Sequence, residues 1–142
     1  MAEQPLSQFH VYGTLADPVH AVNLAERIEH IRNTHSRPFI VAIDACLGRL
    51  SSVGHITVAK GPVQPGTAVQ KNLPKIGDIH LTGIVNIGGM MDYFVLQNTR
   101  LHVVMSMAET IAAAFIEVEQ ALASKRNTTP LWNRLSQQSS LF

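Results

Sequence analysis

Phe39-Ile40-Val41-Ala42-Ile43-Asp44-Ala45-Cys46-Leu47-Gly48 is the stretch whose reading decides the fold. Five successive apolar residues with β-branched members, entered through Pro38 and left through a glycine, read as a strand buried on both faces, as in parallel sheets. In such sheets ligands and catalysis gather beyond the carboxyl ends of the strands. Asp44 stands at the end of the apolar run. Desolvating a carboxylate costs on the order of several kcal/mol unless it finds partners. Asp44 is therefore either a site residue or a cap that accepts backbone N–H bonds from the turn after the strand.

The rest of the chain sets bounds on that choice. With 142 residues, 46% of them hydrophobic and 15% charged, the chain suits one domain with a filled core. A net charge of +1 provides no basic footprint, so nucleic acid is not an expected partner. The single cysteine, Cys46, forms no internal disulfide framework and no zinc site by itself. Beside a buried strand it reads as an inert packed thiol. The first eight residues lack the basic start and apolar core of a secretory signal. Apolar stretches such as residues 111–116 fall short of the roughly 20 residues of a membrane helix. A soluble, cytoplasmic protein without a membrane partner is expected.

Outward from the central stretch, Phe9-His10-Val11-Tyr12 closes at Gly13 and reads as a short strand. Asp17-Pro18 has the form of an N-cap followed by proline at the first helical position. Val19, Val22, Leu24, Ala25, Ile28 and Ile31 recur at helical spacing, so a helix is expected to end near Thr34. Strand, helix, strand in that order implies a right-handed crossover between parallel strands. Residues 49–54 read as a loop or short helix, residues 55–59 and 79–86 as strands, and 91–96 as the start of a helical region. A long helix is expected over about 99–122, with Val104, Ile111 and Phe115 on its apolar stripe. Residues 136–140 resemble a disordered tail, and Trp132 is expected to dock on its own chain.

Few constellations carry chemistry. No Gly-rich nucleotide fingerprint, Gly-x-Ser-x-Gly elbow or His-Glu-x-x-His pattern occurs. Arg49, five residues past Asp44, can pair with it and hold it ionised, or can stay solvated. His80 enters a strand after Gly77-Asp78 and reads first as a core or loop histidine. Residues 60–75 hold Gly61, Pro62, Pro65, Gly66 and Pro74, too many breakers for a regular element. A loop of that length is either functional or a connector.

Four stretches together carry a resemblance. They are Val11-Tyr12-Gly13-Thr14-Leu15-Ala16-Asp17-Pro18-Val19-His20-Ala21-Val22-Asn23-Leu24, Ala42-Ile43-Asp44-Ala45-Cys46-Leu47-Gly48, Gly77-Asp78-Ile79-His80-Leu81-Thr82-Gly83-Ile84-Val85-Asn86 and Tyr93-Phe94-Val95-Leu96-Gln97-Asn98-Thr99-Arg100-Leu101. Over about residues 9–120 the chain closely resembles the YyaC family of sporulation proteins. That family is similar to the germination protease of spore-forming bacteria and, more remotely, to hydrogenase maturation endopeptidases. The resemblance implies an α/β domain over 9–123 with a mostly parallel sheet and helices on both faces, phosphorylase/hydrolase-like, between a flexible 1–8 and a polar 124–142. It implies aspartate-dependent hydrolysis of a peptide bond in a spore protein, with Asp44 as the catalytic acid and no cofactor or metal. Pro65-Gly66-Thr67 is similar to a Pro-Gly segment of the protease, which places that loop, with Arg49 and His80, on the substrate side.

The chain also departs from the resemblance. YyaC-like sequences open with a strand and a Gly-Thr-Asp-Arg-Ser-Thr-Gly-Asp segment that supplies a first acid, and neither stands before Phe9. A truncated domain is therefore expected, its first central strand missing, and an acid dyad with one member is incomplete. Three expectations follow for function: a peptidase of the spore or forespore interior, inactive with one acid; a non-catalytic interaction module of sporulation; or a metal-assisted endopeptidase using Asp44 and His80. The unpaired neighbours of the missing strand make a homo-oligomer a further expectation.

Overall fold

The computed structural model describes residues 8–66, 73–89 and 92–127. Among those residues, three helices and three strands follow one another as α1 (Leu24–Thr34), β1 (Val41–Gly48), β2 (Ile56–Lys60), β3 (Ile79–Ile87), α2 (Asp92–Gln97) and α3 (Leu101–Asn127). A single 3-10 turn, Leu50–Ser52, follows β1. The chain divides into a larger unit, residues 11–108, and a smaller one made of residues 1–10 and 109–142.

The sheet of the larger unit runs in the order β1-β3-β2. β1 pairs with β3 in parallel and β2 with β3 antiparallel, so the sheet is mixed rather than mostly parallel. β3 and not β1 is its central strand. The reason is local: β2 and β3 are consecutive and close as a long hairpin, with Gly61 N–H donating to the Asp78 carbonyl and a further bridge between Val63 and Ile76.

The expected strand at residues 9–12 is irregular among the described residues, so no β-α-β crossover precedes β1. Its residues are used otherwise. In the smaller unit Phe9 meets Phe115 edge-to-face at 5.1 Å between ring centroids, and the Gln8 N–H donates to Glu119 Oε1 at 2.7 Å. In the larger unit the Tyr12 hydroxyl lies 2.8 Å from His35 Nε2.

α1 begins six residues later than the Asp17-Pro18 signal suggests, with Asn23 and not Asp17 at the N-cap. Thr14 and Asp17 close a turn on each other, Thr14 N–H donating to the Asp17 carbonyl and Asp17 N–H to Thr14 Oγ1. The Asp17 carboxylate then accepts from Arg27 at 2.6 and 2.7 Å instead of capping the helix. Once Asn23 is reached the helix propagates, burying Leu24 and Ile28 one turn apart. It stops at His35, whose extended backbone leads through Pro38 into β1.

α3 is the longest element, as its stripe indicates, and it runs to Asn127. Within the larger unit Met107 is buried, and its methyl carbon would lie 3.2 Å from a Cβ added at Gly83. The absent side chain of Gly83 thus lets α3 approach β3 closely. Over Leu101–Lys125 this helix is long and apolar enough, by length and composition, to cross a membrane, with a mean hydropathy of 1.5 in its most apolar window. The reading of residues 111–116 in isolation misses this. Trp132, Thr67 and the tail at 136–140 lie outside the described residues.

Gly77 links the hairpin loop to β3 with φ +111°, where a Cβ would meet the Ile79 carbonyl oxygen at 2.7 Å and the Ala42 methyl at 3.0 Å. Gly54, at φ +89°, faces open space. Gly77→Ala is expected to lower stability by about 1–3 kcal/mol, and Gly54→Ala by less, as measured by urea unfolding midpoints. Equal losses at both positions would remove the steric account of Gly77.

Candidate functional site

Asp44 occupies the fourth position of β1, in mid-strand, because the strand continues through Ala45, Cys46 and Leu47 to Gly48. Its expected place at a strand end is corrected by that continuation. The residues after Asp44 are small or apolar and pair in register with β3 up to Cys46↔Ile84, so nothing in them stops the ladder.

Register assigns the face. Asp44 lies opposite Thr82, and Thr82 lies opposite Thr57, which makes one polar row across the three strands. Ala42 and Cys46 flank Asp44 on the same face, and His80 and Ile84 flank Thr82. Gly83, on the opposite face, carries the contact with Met107. The polar row is thus on the sheet face turned away from that contact.

Backbone direction follows from the bonds at the ends of β1. Ile40 N–H donates to Asp78 Oδ2 and the Ile40 carbonyl accepts from Asp78 N–H, while the Gly48 carbonyl accepts from Gly88 N–H. Even-numbered residues of β1 therefore turn their backbone groups to β3, and Val41, Ile43 and Ala45 turn theirs to the outer edge. Ala45 N–H donates to Asp44 Oδ1 at 2.9 Å, so the carboxylate leans over that edge.

Burial pushes the Asp44 carboxyl above its ordinary value of 3.8, and the Ala45 N–H opposes the shift by favouring the ionised form. The Cys46 thiol is pushed up first by burial and then by the neighbouring Asp44 charge. A thiol held protonated is a poor nucleophile, which agrees with its reading as an inert packed group.

His80 sits two residues along β3 from Thr82, so it is diagonal to Asp44, with Cα atoms roughly 8 Å apart by strand spacing and rise. Its Nδ1 lies 2.8 Å from the Gly61 carbonyl, which only accepts; the neutral ring therefore carries its proton on Nδ1. Arg49 follows β1 directly, and among the described residues no ion pair joins it to Asp44. Pro65 and Gly66 are turn residues just beyond Val63 of the Val63–Ile76 bridge, at the amino ends of β1 and β3. The register therefore separates that turn from the Asp44 row, and Thr67 is outside the described residues.

Among the described residues no group of three or more His, Cys, Asp or Glu side chains could hold a metal ion. Asp44 and His80 supply two donors at a diagonal, fewer than the three protein ligands of a catalytic zinc site, while the Nδ1 bond to Gly61 leaves His80 Nε2 open. A depression of about 320 Å³ lies between α1 and Pro74, lined by Ala25, Ile28, Glu29, Arg32 and Asn33; Asp44 is not part of it.

Thr82 and Thr57 are the members of the row that a reading of β1 alone misses. The alternation of residues 80, 82 and 84 with 42, 44 and 46 contains the signal. It can be used only when the β1–β3 register is known.

Comparison with known proteins adds the following. The profile of a family described as "Protein of unknown function (DUF1256)" matches residues 1–114. A relative described as "Uncharacterized protein YyaC", from Bacillus subtilis (strain 168), is 49% identical over 131 residues. The match takes in 92% of this chain and 64% of the relative, so the chain spans about two thirds of that protein's length. No solved structure matches.

The raised carboxyl fixes a pH dependence. Folded Asp44 holds its proton more tightly than the unfolded chain does, so its contribution to stability is full below about 3.8 and is lost as pH rises through the higher folded value. Asp44→Asn cannot ionise. Its urea unfolding midpoint is expected to exceed that of the native chain at pH 7, with the difference closing at pH 3.5. A difference independent of pH would show that burial of the charge is not its cause.

Proposed function

The chain belongs to the DUF1256 family of YyaC-like proteins, and from that footing we propose that the polar row of its sheet is an aspartate-dependent centre for peptide-bond hydrolysis. The observation that carries this reading is the part-buried Asp44 carboxyl, raised by burial, on a face that also holds Thr82 and His80. A carboxyl whose proton affinity moves upward from the ordinary range becomes more able to exchange a proton with water or a carbonyl oxygen near neutrality. In this reading Asp44 activates the water or the scissile carbonyl. Thr82 is the hydroxyl beside it, and His80 Nε2 is the acceptor left free on the neutral ring. The substrate is an extended segment of a spore protein, long enough to pass over Asp44 from the turn at Pro65 and Gly66 at the amino end of β1 to Arg49 beyond its carboxyl end, and Thr67 is assigned to the same substrate side.

A second reading, a non-catalytic interaction module of sporulation, has its own support. Asp44 Oδ1 already accepts the Ala45 N–H, and Asp44 does not line the depression beside α1.

The two readings separate on purified chain incubated with small spore proteins. Hydrolysis by the native chain, reduced at least about 100-fold in kcat/KM by Asp44→Asn, is the outcome expected of the first. Binding with no cleavage belongs to the second, and equal cleavage by both proteins removes Asp44 from the mechanism.

A further inference from the structure

His80 stands in β3 between two methyl groups, since its register partners are Ala42 of β1 and Ala59 of β2. Alanine has no polar side-chain atom, so neither lateral neighbour decides which ring nitrogen of His80 carries the proton. The backbone of the hairpin decides it. His80 Nδ1 lies 2.8 Å from the Gly61 carbonyl, which only accepts, and Nε2 is left open. With the proton on Nε2 instead, two acceptors would face each other across that distance.

Gly61 is shaped for that bond. It is the first residue beyond the β2–β3 ladder, whose last pair is Lys60↔Ile79. Its φ of +96° departs from the strand, yet a Cβ added there would meet nothing within 4 Å. Crowding does not call for a glycine at this position; the conformation does. The residue is fixed from its other side as well, because its N–H donates to the Asp78 carbonyl at 2.8 Å. Asp78 is tied in turn to Ile40, donating its N–H to the Ile40 carbonyl and accepting the Ile40 N–H on its carboxylate. Hydrogen bonds thus run through Ile40, Asp78, Gly61 and His80, from the entry of the strand that bears Asp44 to the imidazole on β3.

A neutral histidine takes a proton only on the nitrogen that keeps its lone pair, and the bond made by the other nitrogen settles which one that is. Resting on the hydrolytic reading above, the geometry points to Gly61 as the positioning residue of the centre: its carbonyl holds His80 in the Nδ1–H form, so that Nε2 is the atom that takes the proton of the attacking water. The water oxygen bonds to the carbonyl carbon as that proton passes to Nε2. When the C–N bond breaks, the same proton goes to the leaving amine. Asp44, on the same sheet face, keeps the other task named above, the scissile carbonyl.

A long-range proton–nitrogen-15 correlation spectrum of the full chain separates the two neutral tautomers, with the other six of the seven histidines as references. His80 is expected to carry its proton on Nδ1, and a ring protonated on Nε2 overturns the proposal. Gly61→Ala strains the turn, so its His80 should show the Nε2–H form while the amides of β1 and β3 keep their native shifts. An unchanged ring in that variant removes Gly61 from the role. His80→Asn retains an N–H donor where Nδ1 stands and has no atom at Nε2. It is expected to keep the native urea midpoint and, on small spore proteins, to lose at least about 100-fold in kcat at unchanged KM. A native kcat for His80→Asn makes the Gly61 bond a matter of scaffold alone and overturns the proposal. In Gly61→Ala, kcat should fall by the fraction of rings that leave the Nδ1–H form. Hydrolysis by a chain whose ring is not held removes this inference and spares the peptidase reading. A held ring in a chain that cleaves nothing removes the peptidase reading, and the positioning role with it.

Discussion

The parallel register of β1 on β3 is the constraint on which the rest depends. It runs unbroken from Val41↔Ile79 to Cys46↔Ile84 and puts Asp44 opposite Thr82. Side chains alternate with period two, so a slip of one residue would carry Asp44 to the face where Met107 of α3 meets Gly83. There the carboxylate would displace a buried thioether and lose its threonine neighbour. The anchors at the two ends, Asp78 on Ile40 and Gly88 on Gly48, hold the register against that slip. The backbone thus determines the chemistry of the sheet before any side chain is considered.

Much of the framework was legible in the residues themselves. The glycine and proline punctuation located β1, β2 and β3 to within a few residues, and the apolar spacing located α3. Two failures share one physical origin, competition from tertiary contacts. Phe9 and Tyr12 carry strand-forming side chains, yet each finds an aromatic or histidine partner that irregular backbone serves as well. Asp17 has the chemistry of a helix cap, yet a guanidinium and a threonine turn claim its carboxylate and its N–H. Local propensity is a weak prior against such partners.

Of the site, Asp44 was legible as an unusual acid and its neighbours were not. A run of apolar residues says that a carboxylate is desolvated, but the row that contains it is a property of pairing between segments far apart in sequence. The same applies to the sheet's parallel character. The run at 39–43 has the composition of a doubly covered strand, whereas β1 keeps one open edge and Ile43 stays half exposed among the described residues. Composition registers how apolar a strand is; it does not register which of its neighbours is present.

The two pairings of β3 also differ in the length of chain that each must close. The hairpin contact from Gly61 to His80 spans 19 residues, and the contact from Ile40 to Asp78 spans 38. A doubling of loop length adds only about 0.6 kcal/mol of closure entropy, but it falls wholly on β1. Pairing offsets that cost, since β1 meets β3 at eight positions and β2 meets it at five. The acid thus rides on the strand that closes the longer loop and recovers the cost in ladder bonds once it has docked.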